Sequence, residues 1–221
     1  MDYALAIRRN RDQLRQIVLA LFALAQMRVG GSLFTLRRDI FAAILLILRP
    51  AESAVRRLIV IAAAQIGDSY LGRNRVAPLI NTGAGQGNCP RVSTRAFKLF
   101  DPLKSFDPES IWDVEPTWQS QIGPYDPTSH YSSTIESPLD ATHIGQRLNA
   151  LIRALDNLPH QARRLVRWQS KRDAALKANR PTRISPMRPG LPPGWRERGI
   201  HEIDDVLREC HGLANDRLNE P

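Results

Sequence analysis

Near the C-terminus, His201, Asp205, Cys210 and His211 are residue types that ligate metal ions, and His201 and Asp205, four apart, share one face of a helix. The spacing stops short of a metal site. A zinc-protease helix requires His-Glu-x-x-His, whereas Glu202 here is followed by Ile203-Asp204-Asp205. Cys210 falls on the apolar stripe of its segment, where a buried structural thiol is the ordinary role. Nucleophilic catalysis needs Ser or Cys beside a His that a carboxylate orients. The five histidines, His130, His143, His160, His201 and His211, are scattered, and neither Cys89 nor Cys210 lies in such a motif. The string Gly83-Ala84-Gly85-Gln86-Gly87-Asn88 runs into Cys89-Pro90, so no helix starts behind it to hold a phosphate. No enzyme activity, cofactor or metal is expected.

Binding chemistry is better represented. Arg163, Arg164, Arg167, Lys171 and Arg172 crowd one helical stretch with Trp168 among them. Basic charge interleaved with an aromatic suits phosphate contact and base stacking. These six residues are the candidate nucleic-acid contacts; a basic amphipathic helix also suits an anionic membrane surface. A second pattern is aromatic-Asp-Pro, at Phe100-Asp101-Pro102, Phe106-Asp107-Pro108 and Tyr125-Asp126-Pro127. Asp before Pro favours a turn or extended chain. Phe100, Phe106 and Tyr125 are then either pins onto the chain's own helices or docking elements for a protein partner.

These groups need elements to hold them, and the periodicity supplies helices. The chain has 221 residues, of which 43% are hydrophobic and 24% charged, enough for a packed core. Leu14, Ile17, Val18, Leu21, Phe22 and Ala25 recur at helical steps before Gly30-Gly31. Leu33, Leu36, Ile40, Ile44 and Ile47 predict a second helix capped by Ser32. Pro50 predicts a break, with Val55, Leu58, Ile59, Ala62 and Ile66 forming a third that Gly67 stops. Each run is about half of what spans a bilayer, and Ile17–Ala25 lacks the small-residue cleavage site of a signal peptide. Yet these runs are apolar nearly all round, so protein, an oligomer or a membrane surface must cover residues 14–66.

Residues 68–140 read as an irregular acidic stretch holding half of the 16 prolines. Residues 141–179 read as one long basic amphipathic helix. Ile144, Leu148, Leu151, Leu155, Leu158, Ala162 and Leu165 form a heptad seam; Asp140 is its cap, and Pro159 kinks or restarts it with Asn157 as the new cap. Residues 180–198 are a proline-rich arm carrying Pro186 and Pro189 at the spacing of a polyproline ligand. Residues 199–218 hold a last helix, with Gly212 as its stop. The predicted fold is mostly α: an N-terminal bundle over 1–67, the irregular middle, the long basic helix and a short C-terminal helix.

Net charge is +9, distributed as +7 over residues 1–80, −4 over 81–140 and +6 over 141–221. Such a chain can satisfy part of its own field. Of the 31 basic residues only Lys98, Lys104, Lys171 and Lys177 are lysines, a bias that suits phosphate recognition and that codon usage also produces. Two distant cysteines point to a reducing cytoplasm.

The stretches RDIFAAILLILRPAESAVRRLIVIAA, FKLFDPLKSFDP, LPHQARRLVRW and HEIDDVLRECHGLA resemble a group of bacterial hypothetical proteins. The resemblance covers most of the chain and implies a bacterial origin; it implies no activity, ligand or site residue. The leading expectation is a non-enzymatic protein-interaction or scaffold protein, partnered by another protein or by itself. Its alternatives are a non-specific nucleic-acid binder using residues 163–177, and a peripheral membrane protein attached through residues 14–66.

Overall fold

The computed structural model describes residues 2–70, 95–102 and 138–219, and the fold is mostly α-helical. Asp2 starts α1 (Tyr3–Leu24) by accepting the backbone N–H groups of Ala4 and Leu5 at 3.0 and 3.1 Å. The helix stops before the glycine pair, where Gln26 takes the left-handed region at φ +52°. Ser32 does not cap a helix. Strand β1 (Thr35–Leu36) follows instead and pairs antiparallel with β2 (Leu139–Asp140), Thr35 opposite Asp140 and Leu36 opposite Leu139.

The expected second and third helices are one. Helix α2 (Arg38–Tyr70) runs unbroken through Pro50, so the N-terminal region holds two helices rather than three short ones. A proline inside a helix removes the bond to the carbonyl four residues back and costs about 3 kcal/mol or more. Here the orphaned carbonyl is that of Leu46, and the Arg196 guanidinium donates to it. Gly194 lies so close to Pro50 that a Cβ there would come within 2.7 Å of the Pro50 nitrogen, and Ser53 Oγ donates to the Pro193 carbonyl at 2.7 Å. Residues 193–196 thus repair the helix at its weak point. Sequence reading missed this because the compensating groups lie about 145 positions away in the chain.

The long helix is buried on nearly every side from Pro50 to Ile61 because α1, α3 (Thr142–Asp156), α4 (Leu158–Lys177) and α5 (Glu202–Asn219) pack around it. That arrangement answers the question of what covers an all-round apolar helix. The N-cap of α3 is Ala141, not Asp140; the Thr142 hydroxyl, and then the Thr142 N–H that Asp140 Oδ1 accepts at 2.9 Å, hold the Asp140 carboxyl below its ordinary value. Of the kink or restart expected at Pro159 within 141–179, the structure shows the restart, giving two helices. Asn157, at φ −125° and ψ 49°, separates α3 from α4 and makes no side-chain cap bond, while Pro159 sits in the first turn of α4. The whole seam, Ile144 through Leu165, is at most 4% exposed and lies in the chain's own core. Gly212 does not stop the last helix, which continues to Asn219. Buried residues from all five helices, from segment 95–102 and from the arm form one core. No helix among the described residues is long and apolar enough to cross a membrane.

Candidate functional site

Packing decides what α4 presents. Leu158, Gln161, Ala162 and Leu165 turn inward, so the residues one step round the helix are left in solvent. Arg163, Arg167 and Lys171 stand four apart and all are exposed. At 1.5 Å per residue this row is about 12 Å long, the axial span of three to four phosphates on one DNA strand. Among the described residues no carboxylate pairs with Arg163, Arg164, Arg167 or Lys171.

The next row, Arg164, Trp168 and Arg172, is half-buried and serves the fold. Arg164 donates to Gln161 Oε1 at 2.6 Å. Arg172 donates to the Ile184 carbonyl at 2.7 Å, pairs with Asp173 and lies 5.5 Å over the Trp168 ring. Trp168 meets Phe100 edge-on with centroids 4.9 Å apart, and the Arg183 guanidinium lies 5.2 Å over Phe100. This stack of cation, two rings and cation fastens segment 95–102 and the arm to α4. Trp168 is therefore engaged with protein rather than displayed for a base. Phe100 is a pin onto the chain's own helix; Phe106 and Tyr125 lie outside the described residues, as do the glycine string and Cys89.

The residues that sequence reasoning missed sit beneath this stack. Asp101, between Phe100 and Pro102, has a side chain 0% exposed. It accepts from Arg57 Nη2 at 2.9 Å and Nη1 at 3.4 Å, from Arg56 Nη1 at 3.5 Å and from the Arg188 N–H at 3.4 Å. Arg57 is itself fully buried and also donates to the Ser53 carbonyl and to His211 Nδ1. Arg56 reaches the Lys98 carbonyl and Glu52, and Glu52 takes a two-point bond from Arg147 at 2.8 and 3.1 Å. Burial pushes the Arg56 guanidinium below its ordinary value, opposed by Glu52 and Asp101. The available signal was Arg56-Arg57 inside an apolar helix, which demands a buried counter-charge. Nothing in the spacing marked Asp101 as that charge.

The C-terminal histidines and cysteine are absorbed likewise. His201 Nδ1 accepts the Ile203 N–H at 3.1 Å at the start of α5. Cys210 is 0% exposed, and burial pushes its thiol far up, which leaves it inert. His211 is held below its ordinary value by burial and by the Arg57 charge. Among the described residues no group of three or more His, Cys, Asp or Glu side chains is placed to hold a metal.

Comparison with protein-family models, curated proteins and solved structures gives no match to this chain.

Proposed function

We propose that the chain is a non-enzymatic binding protein of the cytoplasm that holds nucleic acid against α4 without sequence preference. The observation that carries this reading is the row Arg163, Arg167 and Lys171, exposed and without a carboxylate partner among the described residues. The helix beneath it is fixed from both sides, by the seam below and by the ring stack alongside. Cations on a rigid element lose little freedom when they meet phosphates.

The scaffold reading rested on the heptad seam, the aromatic-Asp-Pro elements and the proline arm. The seam is core, Phe100 packs on Trp168, and the arm lies along α2 through Gly194 and Pro193. Among the described residues these surfaces are engaged within the chain, and Phe106 and Tyr125 lie outside those residues; this favours the nucleic-acid reading. The apolar surface of residues 14–66, which suggested membrane attachment, is largely drawn into the same core.

The test is binding to mixed-sequence duplex DNA across a salt series. Replacing Arg163, Arg167 and Lys171 with glutamine is expected to flatten the slope of log affinity against log salt by about 2–3. All three side chains are exposed, so the variant keeps the fold. An unchanged slope removes the row from the contact list and overturns the proposal.

A further inference from the structure

A second site lies away from the α4 row, along α3. The face of α3 that carries Thr142, Asn149 and Arg153 forms one wall of a cavity of about 260 Å³, and residues 29–34 form the other. Three features build it. Gly30 adopts φ +82°, which a side chain would resist. Gly145 allows the Leu33 side chain to approach so closely that a Cβ would stand 2.8 Å from it. Asn149 then clamps the glycine pair to the helix, accepting the Gly30 N–H at 2.7 Å and donating to the Gly31 carbonyl at 2.8 Å.

The cavity has a charged end and an apolar end. Arg153 Nη2 donates to the Arg95 carbonyl at 3.1 Å, so the two guanidinium-bearing residues adjoin each other at the C-terminal end of the wall. At the other end, the Phe34 carbonyl accepts the Ala141 N–H at 2.8 Å, which sets Phe34 beside the first turn of α3. Between Thr142 and Arg153 the helix rises about 16 Å. Leu33 and Ile152 line the interior, while Phe34 and Val29 keep 70% and 54% of their surface in solvent. Apolar side chains left open beside an apolar cavity mark a surface that gains from being covered.

We propose that this cavity binds a medium-chain carboxylate, with the carboxylate at Arg95 and Arg153 and the chain running toward Phe34. Charge complementarity sets the direction, since neither Arg95 nor Arg153 pairs with a carboxylate among the described residues. Size sets the length: at roughly 30 Å³ per water-sized group the cavity takes about nine such groups. Octanoate, with its head at the mouth, matches. A ligand of about ten non-hydrogen atoms is expected to bind with a dissociation constant on the order of 0.1–1 mM.

The experiment is calorimetric titration of the full chain with sodium octanoate and, in parallel, 1-octanol. Saturable octanoate binding is expected, about tenfold tighter than that of the alcohol, which lacks the charge. Arg95→Gln and Phe34→Ser both alter exposed side chains and preserve the fold. The first is expected to weaken octanoate about tenfold and the second about threefold to tenfold. The glutamine variant of the α4 row is expected to bind octanoate as the wild type does, which separates the two sites. Absence of saturable binding overturns the inference, and so does equal affinity in Arg95→Gln. Flotation with phosphatidylglycerol vesicles by a protein that takes up no octanoate also overturns it, and assigns the Phe34 rim to a lipid surface.

Discussion

Replacing Asp101 with asparagine keeps the size of the side chain and removes one negative charge from the most enclosed part of the molecule. The carboxylate is 0% exposed, as is its partner Arg57, and their closest N–O distance is 2.9 Å. Arg56, at 6% side-chain exposure, retains Glu52 and the Lys98 carbonyl after the change. Among the described residues Arg57 retains only the neutral Ser53 carbonyl and His211. A buried cation that loses its ionic partner typically costs about 3–5 kcal/mol, a large share of the roughly 5–15 kcal/mol that separates folded from unfolded chains. Asp101→Asn is therefore expected to lower stability by about 3–5 kcal/mol, read from urea unfolding followed by circular dichroism, with the slope m unchanged. Adding Arg57→Met removes the stranded charge while keeping an apolar filler. The double variant should recover part of the loss, because the uncompensated buried charge is gone, while the new asparagine side chain and the Ser53 carbonyl each keep one partner fewer. Loss of less than about 1 kcal/mol in Asp101→Asn, or no recovery in the double variant, refutes the view that this pair governs how segment 95–102 is held.

Two further expectations concern α5. Gly212 lies in the helix interior, exposed, with nothing within 4 Å of where a Cβ would sit, so Gly212→Ala should raise stability by about 0.5–1 kcal/mol in the same urea assay. His211 has its folded pKa lowered, by burial and by Arg57, so the unfolded chain takes up its proton first as pH falls. Its contribution is fully present above the ordinary value of 6.5 and is lost as pH drops from there through the lowered folded value. The urea midpoint should accordingly fall between about pH 7.5 and pH 5 in the wild type, and fall less in His211→Gln.

Periodicity carried much of the fold into view. The apolar stripes of α1, α3, α4 and α5 were legible because each spans two or more turns of unbroken helical spacing, and the buried fate of Cys210 followed from the same spacing; the heptad seam reads equally as a contact surface for a partner, and only packing places it in the chain's own core. The arginine row of α4 was legible as composition, but not its division into exposed and engaged halves. Arg163 and Lys171 differ from Arg164 and Arg172 by one position each, and only the docking of Phe100 and the arm decides which side is covered. The aromatic-Asp-Pro repeat drew attention to its rings. In the one copy the structure describes, the aspartate between ring and proline carries the greater constraint.

Local chemistry by itself determined that this chain makes helices, where most of them lie and that they share a mostly apolar core, because backbone hydrogen bonds and apolar stripes are settled within a few residues of one another. It equally determined that α2 carries two adjacent arginines among apolar neighbours. Only the tertiary structure decided that α2 survives Pro50, that Asp101 neutralises Arg57 and that Arg163, Arg167 and Lys171 remain in solvent. Each of these depends on a partner tens of residues distant: Arg196 for the Leu46 carbonyl, Asp101 for the arginines, Phe100 for the covered half of α4. A bare carbonyl or a buried charge states that a partner must exist, and its stretch of sequence holds no information about which distant residue the folded chain will bring to it.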